Sequence, residues 1–356
     1  MNRLVIIGNG FDVAHGLKTR YEDFINWYWE QLFLKLRVCN DRIYNDGLVS
    51  LSIVASANES SWMNVFFFHY ELKQQSWQEV LKYIRTREMS FRIEYSALFN
   101  RIMAGYESKG WVDIENDYYT CLKTPLKNPR CGYTVNEINT QLSLLQRKLV
   151  EYLRTIEIKA DREDLYNMMI APFILNDSST EGEIKFLAIT GNSNVPDSIM
   201  LLSFNYTDTA KQYGNFNLTH NYIHGELSKE KEIIFGYGDE LDKDYKELLD
   251  MNDNELLKYA KNVKYLETSH YRKMLNFINA GPFQVFIMGH SCGNSDRTLL
   301  NTVFEHENCV SIKPFYYKKA NGTDNYLELV QNISRNFTDM KLFRDRVVNK
   351  EQCLTM

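Results

Sequence analysis

The chain opens with Arg3-Leu4-Val5-Ile6-Ile7-Gly8-Asn9-Gly10-Phe11-Asp12, where an aliphatic run meets a pair of glycines. A short aliphatic run that stops at turn residues is typical of a buried strand in a parallel sheet. Glycines directly after such a strand let backbone N–H groups approach a phosphate. Val13 stands where a complete dinucleotide fingerprint has its third glycine or alanine, so the motif also fits a plain strand-to-loop turn.

The same strand pattern returns after residue 195. Short apolar runs that end in polar or glycine-rich turns occupy residues 198–204, 221–223, 232–235, 284–288 and 310–317. Strands separated by helices are the mark of a parallel sheet with crossover connections. The sequence therefore predicts an α/β protein with a Rossmann-like parallel sheet, formed by a nucleotide-binding core of residues 1–30 and 195–356.

Residues 31–194, between these two parts, are predicted to form a large and mainly helical insertion. Aromatic-rich stretches without proline at 61–87 and 91–105 predict helices, and Asn136–Tyr166 has the clearest amphipathic periodicity. Thr134, followed three residues later by Glu137, matches a capping box at the start of that helix.

The composition is that of a globular protein, with 44% hydrophobic and 24% charged residues. A net charge of −5 gives no strong nucleic-acid signal. The apolar runs Leu4–Ile7 and Val65–Phe68 are far shorter than a membrane span of about 20 residues. The six cysteines contain no C-x-x-C pair, the spacing that brings thiolates to one metal ion. We therefore expect a cytoplasmic protein with no membrane partner, no structural metal and no disulfide.

Two polar motifs follow predicted strands. Ser203-Phe204-Asn205-Tyr206-Thr207-Asp208 could hold sugar hydroxyls and orient a water, because open α/β sheets bind ligands at the carboxyl ends of their strands. An Asx turn that caps the next helix explains the same residues without a ligand. His224-Gly225-Glu226 offers a base that works at cellular pH, although a lone histidine is commonly structural.

The sequence Gly289-His290-Ser291-Cys292-Gly293 has two interpretations. It matches the G-x-S-x-G nucleophile elbow of serine hydrolases, in a strand–turn–helix context. That fold needs an acid and then a histidine downstream, and His306 follows Ser291 after only 15 residues. Alternatively, the backbone N–H groups of this loop and the Ser291 hydroxyl bind phosphate or ribose.

Two acidic features have no assigned role. Trp111 precedes Asp113, Glu115 and Asp117, whose spacing suits a metal site or a shared proton, but no histidine pair accompanies them. The segment Asp239–Glu255 has eight acids against two lysines. It predicts either a solvated helical insertion or a mobile lid over the site.

Together these motifs resemble the AbiH family of bacterial phage abortive-infection proteins. The resemblance is carried by Leu4–Leu17 with Thr19, Tyr21, Asp23 and Phe24, by Trp111-x-Asp113-x-Glu115, by Ser203–Thr207, by His224-Gly225, by Phe235-Gly236 and by Gly289-His290-Ser291-x-Gly293-Asn294-x-Asp296. These blocks span nearly the whole chain. The resemblance implies antiviral defence with a phage-derived trigger as a partner, and it is compatible with a homo-oligomer.

The same blocks are similar, more distantly, to the sirtuin-type NAD-binding fold. Gly8–Leu17 resembles its first phosphate loop, Asn205 the asparagine of its Asn-x-Asp strand end, His224-Gly225 its catalytic His-Gly, and Gly289-His290-Ser291 its later Gly-Thr-Ser loop. Thr207 and His290 depart from that pattern, and the paired cysteines of the deacetylase zinc ribbon are absent. The resemblance is therefore to NAD hydrolases of phage defence rather than to deacylases.

This resemblance implies that NAD, as substrate or ligand, is cleaved at its nicotinamide–ribose bond. His224 would be the base, and Asn205 would orient the water and the ribose. The other residues expected to bind the dinucleotide are Gly8, Asn9, Gly10, Asp12, Ser203, Gly289, Ser291, Asn294 and Asp296. Two alternatives stay open, namely a nucleotide-sensing or partner-binding defence module without turnover, and a serine hydrolase acting through Ser291.

Overall fold

A computed structural model gives the fold and describes residues 1–38, 43–53, 78–79, 81–82, 91–109, 113–158, 162–174, 177, 194–214, 217–319 and 321–356. The chain divides into two compact units. Unit 1 comprises Met1–Thr19 and Ile156–Met356, and unit 2 comprises Arg20–Thr155.

The strands and helices are numbered along the chain. The strands are β1 (Asn2–Ile7), β2 (Ile43–Asn45), β3 (Val49–Ile53), β4 (Phe91–Tyr95), β5 (Ile199–Ser203), β6 (Leu218–Tyr222), β7 (Phe283–Met288) and β8 (Cys309–Phe315). The α-helices are α1 (Asn9–Ala14), α2 (Tyr21–Val38), α3 (Ala97–Lys109), α4 (Ile114–Lys127), α5 (Val135–Leu153), α6 (Glu163–Ile170), α7 (Lys243–Asp250), α8 (Asn254–Leu257), α9 (Lys261–Lys264), α10 (His270–Asn279), α11 (Arg297–Phe304), α12 (Tyr326–Arg335) and α13 (Met340–Arg346).

Unit 1 is built on a five-stranded sheet with the order β6-β5-β1-β7-β8, in which every pairing is parallel. Counted along the chain, this order is 3-2-1-4-5, the arrangement of the Rossmann fold. Ile7 lies opposite both Ser203 and Met288, so the carboxyl ends of the three central strands are level. The predicted α/β class with a Rossmann-like sheet is confirmed.

Both faces of this sheet are covered, which explains why its central strands β1, β5 and β7 are mainly apolar without alternation. Every residue of β5 and of β7 is buried. In β1, Leu4 and Ile6 belong to one core cluster, with residues of α10, α11 and α12. Val5 and Ile7 belong to another, with residues of α6. Successive side chains of a strand point to opposite faces, so β1 contributes to both cores.

Unit 2 contains α2 to α5 and a three-stranded antiparallel sheet of order β2-β3-β4. Its core is aromatic, and the fully buried Trp29 packs against Phe33 and Phe99. The predicted capping box is present, because the Thr134 hydroxyl accepts a hydrogen bond from the Glu137 amide and the Glu137 carboxylate accepts one from the Thr134 amide.

The helix predicted over 91–105 is wrong in its first part. Residues 91–95 form β4, which pairs with β3, and the helix begins only at Ala97. The sequence Phe-Arg-Ile-Glu-Tyr alternates apolar and polar residues, which is the period of a strand rather than of a helix. The helix predicted over 61–87 lies mostly outside the described residues, as does Trp111.

One further helix boundary and one predicted strand differ from the sequence analysis. The helix expected over Asn136–Tyr166 ends at Leu153, and α6 begins separately at Glu163. Residues 232–235 form no strand. Instead, the Ile234 amide donates to the carbonyl of His224 at 2.9 Å, so this apolar segment packs alongside the loop that follows β6.

Candidate functional site

Loops from four neighbouring strands meet at the carboxyl edge of the unit 1 sheet. The side-chain amide of Asn205, which follows β5, donates to the carbonyl of Gly8, which follows β1, at 3.0 Å. The Phe204 ring lies with its centroid 5.1 Å from that of His224, after β6, and 4.2 Å from that of His290, after β7. The structure therefore brings together predicted residues from all four loops.

The glycines after β1 and β7 pack against each other. The Gly10 amide donates to the Gly289 carbonyl at 2.8 Å. A Cβ at Gly8 would lie 2.5 Å from the His290 Cα, and a Cβ at Gly289 would lie 2.1 Å from the Phe11 nitrogen. Gly289 also has φ of +75°, in the left-handed region. The close approach of two backbones thus requires glycine here, whether or not a phosphate binds.

Asp296 is the centre of a buried polar cluster. Its Oδ1 accepts from the Lys261 ammonium at 2.8 Å and lies 3.2 Å from His224 Nε2. Its Oδ2 lies 3.5 Å from His290 Nε2. Each of these four side chains is buried. Burial alone would raise the pKa of Asp296, but Lys261 and His224 outweigh burial and hold it well below its usual range. Asp296 is therefore a carboxylate at cellular pH.

The protonation of His290 follows from its neighbours. The Cys292 amide donates to His290 Nδ1 at 3.0 Å, so this nitrogen carries the lone pair. The ring proton then sits on Nε2, which faces Asp296. Cys292 has φ of +53°, and this left-handed turn directs its amide back to the ring. The two nitrogens of His290 thus face different partners, Nδ1 the Cys292 amide and Nε2 the Asp296 carboxylate.

His224 is enclosed by aromatic rings. Its ring is nearly parallel to that of Tyr265, at 7° with 6.2 Å between centroids, and the Tyr265 hydroxyl lies 3.2 Å from His224 Nε2. Gly225 has φ of +83°, and a Cβ there would lie 2.4 Å from the Glu232 carbonyl oxygen. The His-Gly pair therefore places the imidazole against Asp296 while the backbone makes a tight turn.

Asp12 is buried on α1, the short helix that follows Gly8. The Thr207 hydroxyl donates to its Oδ2 at 2.6 Å, whereas its Oδ1 is buried without a hydrogen-bond partner. Burial raises the pKa of Asp12, and the bond from Thr207 opposes this only in part. Ser203 Oγ accepts from the backbone amide of Asn205 at 3.2 Å, so the turn here is made by a serine and not by the Asx side chain of the ligand-free interpretation. The short helix that follows, Asp208–Gln212, has no side-chain cap.

Three predicted ligand-binding residues are exposed: Asn9, Ser291 and Asn294. Asn9 Oδ1 accepts from the Thr19 hydroxyl at 2.5 Å. The Ser291 carbonyl accepts from the Asn332 side chain at 2.9 Å, and this bond fixes the loop after β7. The candidate site thus has an exposed polar rim above a buried cluster.

The structure argues against Ser291 as a hydrolase nucleophile. His306 bonds to Asn279, and its ring lies 5.9 Å from that of Phe283, the first residue of β7. Ser291 follows Met288, the last residue of β7. Six residues of strand span roughly 17 Å, given about 3.3 Å per residue. The downstream histidine that a nucleophile elbow requires is therefore at the opposite end of the sheet.

Sequence reasoning missed Lys261, which the chain brings into the cluster by closing a loop on itself. The Tyr237 amide donates to the Tyr259 carbonyl at 3.1 Å, and the Lys261 amide donates to the Tyr237 carbonyl at 3.0 Å. A Cβ at Gly236 would lie 2.0 Å from the Tyr259 oxygen. The only local signal was the pair of glycines, Gly236 and Gly238, that permits this approach.

The acidic segment Asp239–Glu255 lies within this closed loop and contains α7. Asp239 is buried, and its Oδ2 lies 3.4 Å from Arg297 Nη1. The Glu240 amide donates to the Thr298 hydroxyl at 2.8 Å. The start of the segment is therefore fastened to the beginning of α11, next to Asp296.

Two acids of the tryptophan-acid block, Asp113 and Asp117, have structural partners in unit 2. Asp113 caps α4 by accepting from the Asn116 amide at 3.0 Å, and Asp117 pairs with Arg101 at 3.0 Å. Acidic residues in the first turn of a helix are favoured by its dipole. Within the described part of the chain, no group of three or more His, Cys, Asp or Glu side chains is arranged to hold a metal ion. Nor does any described helix combine the length and apolar character needed to span a membrane.

Comparison with known proteins identifies the family. A model of the family described as Bacteriophage abortive infection AbiH matches residues 4–317, which include every loop of the candidate site. No curated protein and no solved structure matches the chain significantly. The chain therefore belongs to the AbiH family, whose role is bacteriophage abortive infection.

Proposed function

We propose that this AbiH protein serves phage defence by binding NAD at the carboxyl edge of the unit 1 sheet and hydrolysing the nicotinamide–ribose bond. The observation that carries the proposal is the pairing of His224 with Asp296 at 3.2 Å, beside the loops after β1 and β7. These strands flank the point where the strand order reverses, and open α/β sheets bind their ligands there.

The exposed rim supports binding of a polar ligand. Asn9, Ser291 and Asn294 offer amide and hydroxyl groups at the surface of the two loops. Such groups suit the pyrophosphate and ribose of a dinucleotide. The glycines fit this role less directly than expected, because they contact each other. The Oδ1 of Asp12, on the helix that follows Gly8, is buried without a hydrogen-bond partner, and a ligand hydroxyl that reached it would satisfy this acceptor.

The chemistry assigned to His224 follows from Asp296. A carboxylate that accepts the Nε2 proton leaves the lone pair of a neutral imidazole on Nδ1, so the ring can take a proton from water. In the hydrolysis, the water oxygen bonds to the ribose carbon, the carbon–nitrogen bond breaks, and its electron pair leaves with neutral nicotinamide. His224 receives the water proton and releases it to solvent.

The test is to incubate the purified protein with NAD and to quantify nicotinamide and ADP-ribose by chromatography. We expect both products in equal amounts from the native protein, and release slower by about 10²–10⁴-fold from His224→Asn. His306→Asn is the matched control, because that histidine lies at the other end of the sheet. Binding of NAD without either product would favour the sensing module. Absence of both binding and products would refute the proposal.

A further inference from the structure

Lys261 is an unusual residue to find in the interior of unit 1. Its side chain is only 1% exposed, and its ammonium lies 2.8 Å from Asp296 Oδ1. Removing an ammonium and a carboxylate from water costs several kcal/mol for each ion, and their attraction often does no more than offset this cost. Stability alone therefore gives little reason for a lysine here rather than an apolar side chain.

The backbone fixes Lys261 from both sides. Its amide donates to the Tyr237 carbonyl, at the parallel bridge between Tyr237 and Ala260. A Cβ at Gly238 would lie 2.9 Å from the Lys261 Cβ, so the opposite segment is packed closely against it. The ammonium consequently has a defined position relative to Asp296.

Lys261 and His224 share one oxygen of Asp296. The ammonium is closer to Oδ1, at 2.8 Å, than is His224 Nε2, at 3.2 Å. Other titratable groups near His224 include His290, which bonds the second oxygen of Asp296, Tyr265, whose hydroxyl lies 3.2 Å from Nε2, and Tyr206, whose ring lies 6.4 Å away. The negative charge beside His224 is thus already balanced by a cation.

We infer that Lys261 is a positioning residue for His224. Its ammonium neutralises Asp296, so the carboxylate orients the imidazole through Nε2–H without drawing a second proton onto the ring. The catalytic meaning of this arrangement rests on the function proposed above, in which His224 must be neutral to act as a base. Among the groups that lower the pKa of Asp296, Lys261 acts most strongly, which agrees with its role as the counter-ion of this carboxylate.

Removal of the ammonium has a defined consequence. Without Lys261, the Asp296 charge lies buried and unbalanced, and protonation of His224 becomes the nearest way to compensate it. An unopposed carboxylate at hydrogen-bond distance shifts a titration by about 1–3 pH units. The imidazolium would then predominate near neutral pH, and it has no lone pair with which to accept a proton.

The test compares Lys261→Met, which removes the charge, with Lys261→Arg, which keeps it. Lys264→Met is the matched control, because Lys264 is 31% exposed and pairs with Glu267 on the surface. The first readout is the titration of the His224 ring by NMR, assigned by its loss in His224→Asn. The second is the pH profile of kcat/KM for nicotinamide release. We expect the His224 midpoint to rise by about one pH unit or more in Lys261→Met only, with the acid limb of the profile moving equally.

The two readouts separate this inference from the proposed function. A shifted His224 midpoint in a protein that never releases nicotinamide would uphold the role of Lys261 and refute NAD hydrolysis. A His224 ring that titrates identically in Lys261→Met and in the native protein would overturn the inference. Should Lys261→Met fail to fold, Lys261→Gln retains a hydrogen-bond donor to Asp296 without the charge, and the same upward shift is expected.

Discussion

Gly10 and Gly289 are in direct backbone contact at the carboxyl edge of adjacent parallel strands. The amide of Gly10 donates to the carbonyl of Gly289 at 2.8 Å, and a Cβ at Gly10 would lie 2.8 Å from the Gly289 Cα. In dinucleotide-binding sheets, glycines at this place let the pyrophosphate approach the backbone. Here the backbone of each loop fills the space next to the glycines of the other loop, where a pyrophosphate would otherwise lie. A ligand would therefore approach from the exposed side, where Asn9 and Ser291 lie.

This contact predicts that Gly289→Ala is strongly destabilising. The change combines a left-handed backbone with a Cβ 2.1 Å from the Phe11 nitrogen. These effects cost about 1–2 and about 1–3 kcal/mol respectively, which gives a loss of roughly 2–5 kcal/mol. Gly322→Ala is the matched control, since its φ is +82° but nothing lies within 4 Å of the added atom. Urea unfolding should show a clearly larger loss at Gly289; equal losses would contradict the loop contact.

Asp12→Asn is expected to stabilise the protein at neutral pH. Because burial raises the pKa of Asp12 above the ordinary 3.8, the folded state keeps this proton over a pH range in which the unfolded chain has lost it. The free energy of unfolding therefore falls as pH rises through that range, because the folded protein must then hold a buried carboxylate charge at Asp12. Asparagine removes the cost of burying a carboxylate charge and retains a side-chain oxygen that can accept the hydrogen bond from the Thr207 hydroxyl. The melting temperature should rise at pH 7 and be unchanged below the ordinary pKa. A gain of equal size at both pH values would show that ionisation is not the cause.

The buried pair of Asp177 and Lys313 gives a test within the sheet. Lys313 Nζ lies 2.9 and 3.0 Å from the two oxygens of Asp177, and both side chains are almost fully buried. Asp177→Asn leaves an unpaired ammonium and should cost about 3–5 kcal/mol. Adding Lys313→Met should recover much of this loss. Asp324→Asn, which breaks a surface pair with Lys350, should cost less than about 1 kcal/mol. A double variant no more stable than Asp177→Asn would refute the pairing.

Local patterns sufficed to predict the parallel sheet and the meeting of its loops. Each of β1, β5 and β7 is a short apolar run that ends in turn residues, and parallel strands share one carboxyl edge. The lysine that balances the charge of Asp296, the acid beside His224, could not be predicted in this way. Lys261 reaches Asp296 across 35 residues of chain, and a lysine near an acidic segment normally indicates a solvated surface. Its burial depends on the backbone contact of Gly236 with Tyr259, which no local period reveals.

His224→Ala should lower nicotinamide release by about 10²–10⁴-fold, the usual contribution of a positioned base. Asn205→Ala should also lower turnover, but its effect on folding differs from that of an exposed residue. The Asn205 side chain is buried and donates to the Gly8 carbonyl at 3.0 Å, so its loss leaves a buried acceptor unpaired, at a cost of about 1–3 kcal/mol. Rates should therefore be compared at equal folded fraction, measured by circular dichroism. Full activity in folded His224→Ala would exclude this histidine as the base.

Ser291→Ala separates the remaining interpretations of the loop after β7. Its hydroxyl is exposed on the rim, and the downstream His306 lies at the opposite end of β7, so we expect a ligand-binding role rather than a nucleophilic one. The variant should raise KM for NAD several-fold, as loss of a hydrogen bond worth about 1 kcal/mol would, with kcat nearly unchanged. A serine hydrolase would instead be established by two results together. A serine-directed phosphonate would label the native protein, and Ser291→Ala would lose activity while His224→Ala kept it. If neither variant alters a nucleotide reaction but His224→Ala still abolishes phage protection, the site senses or binds a partner without turnover.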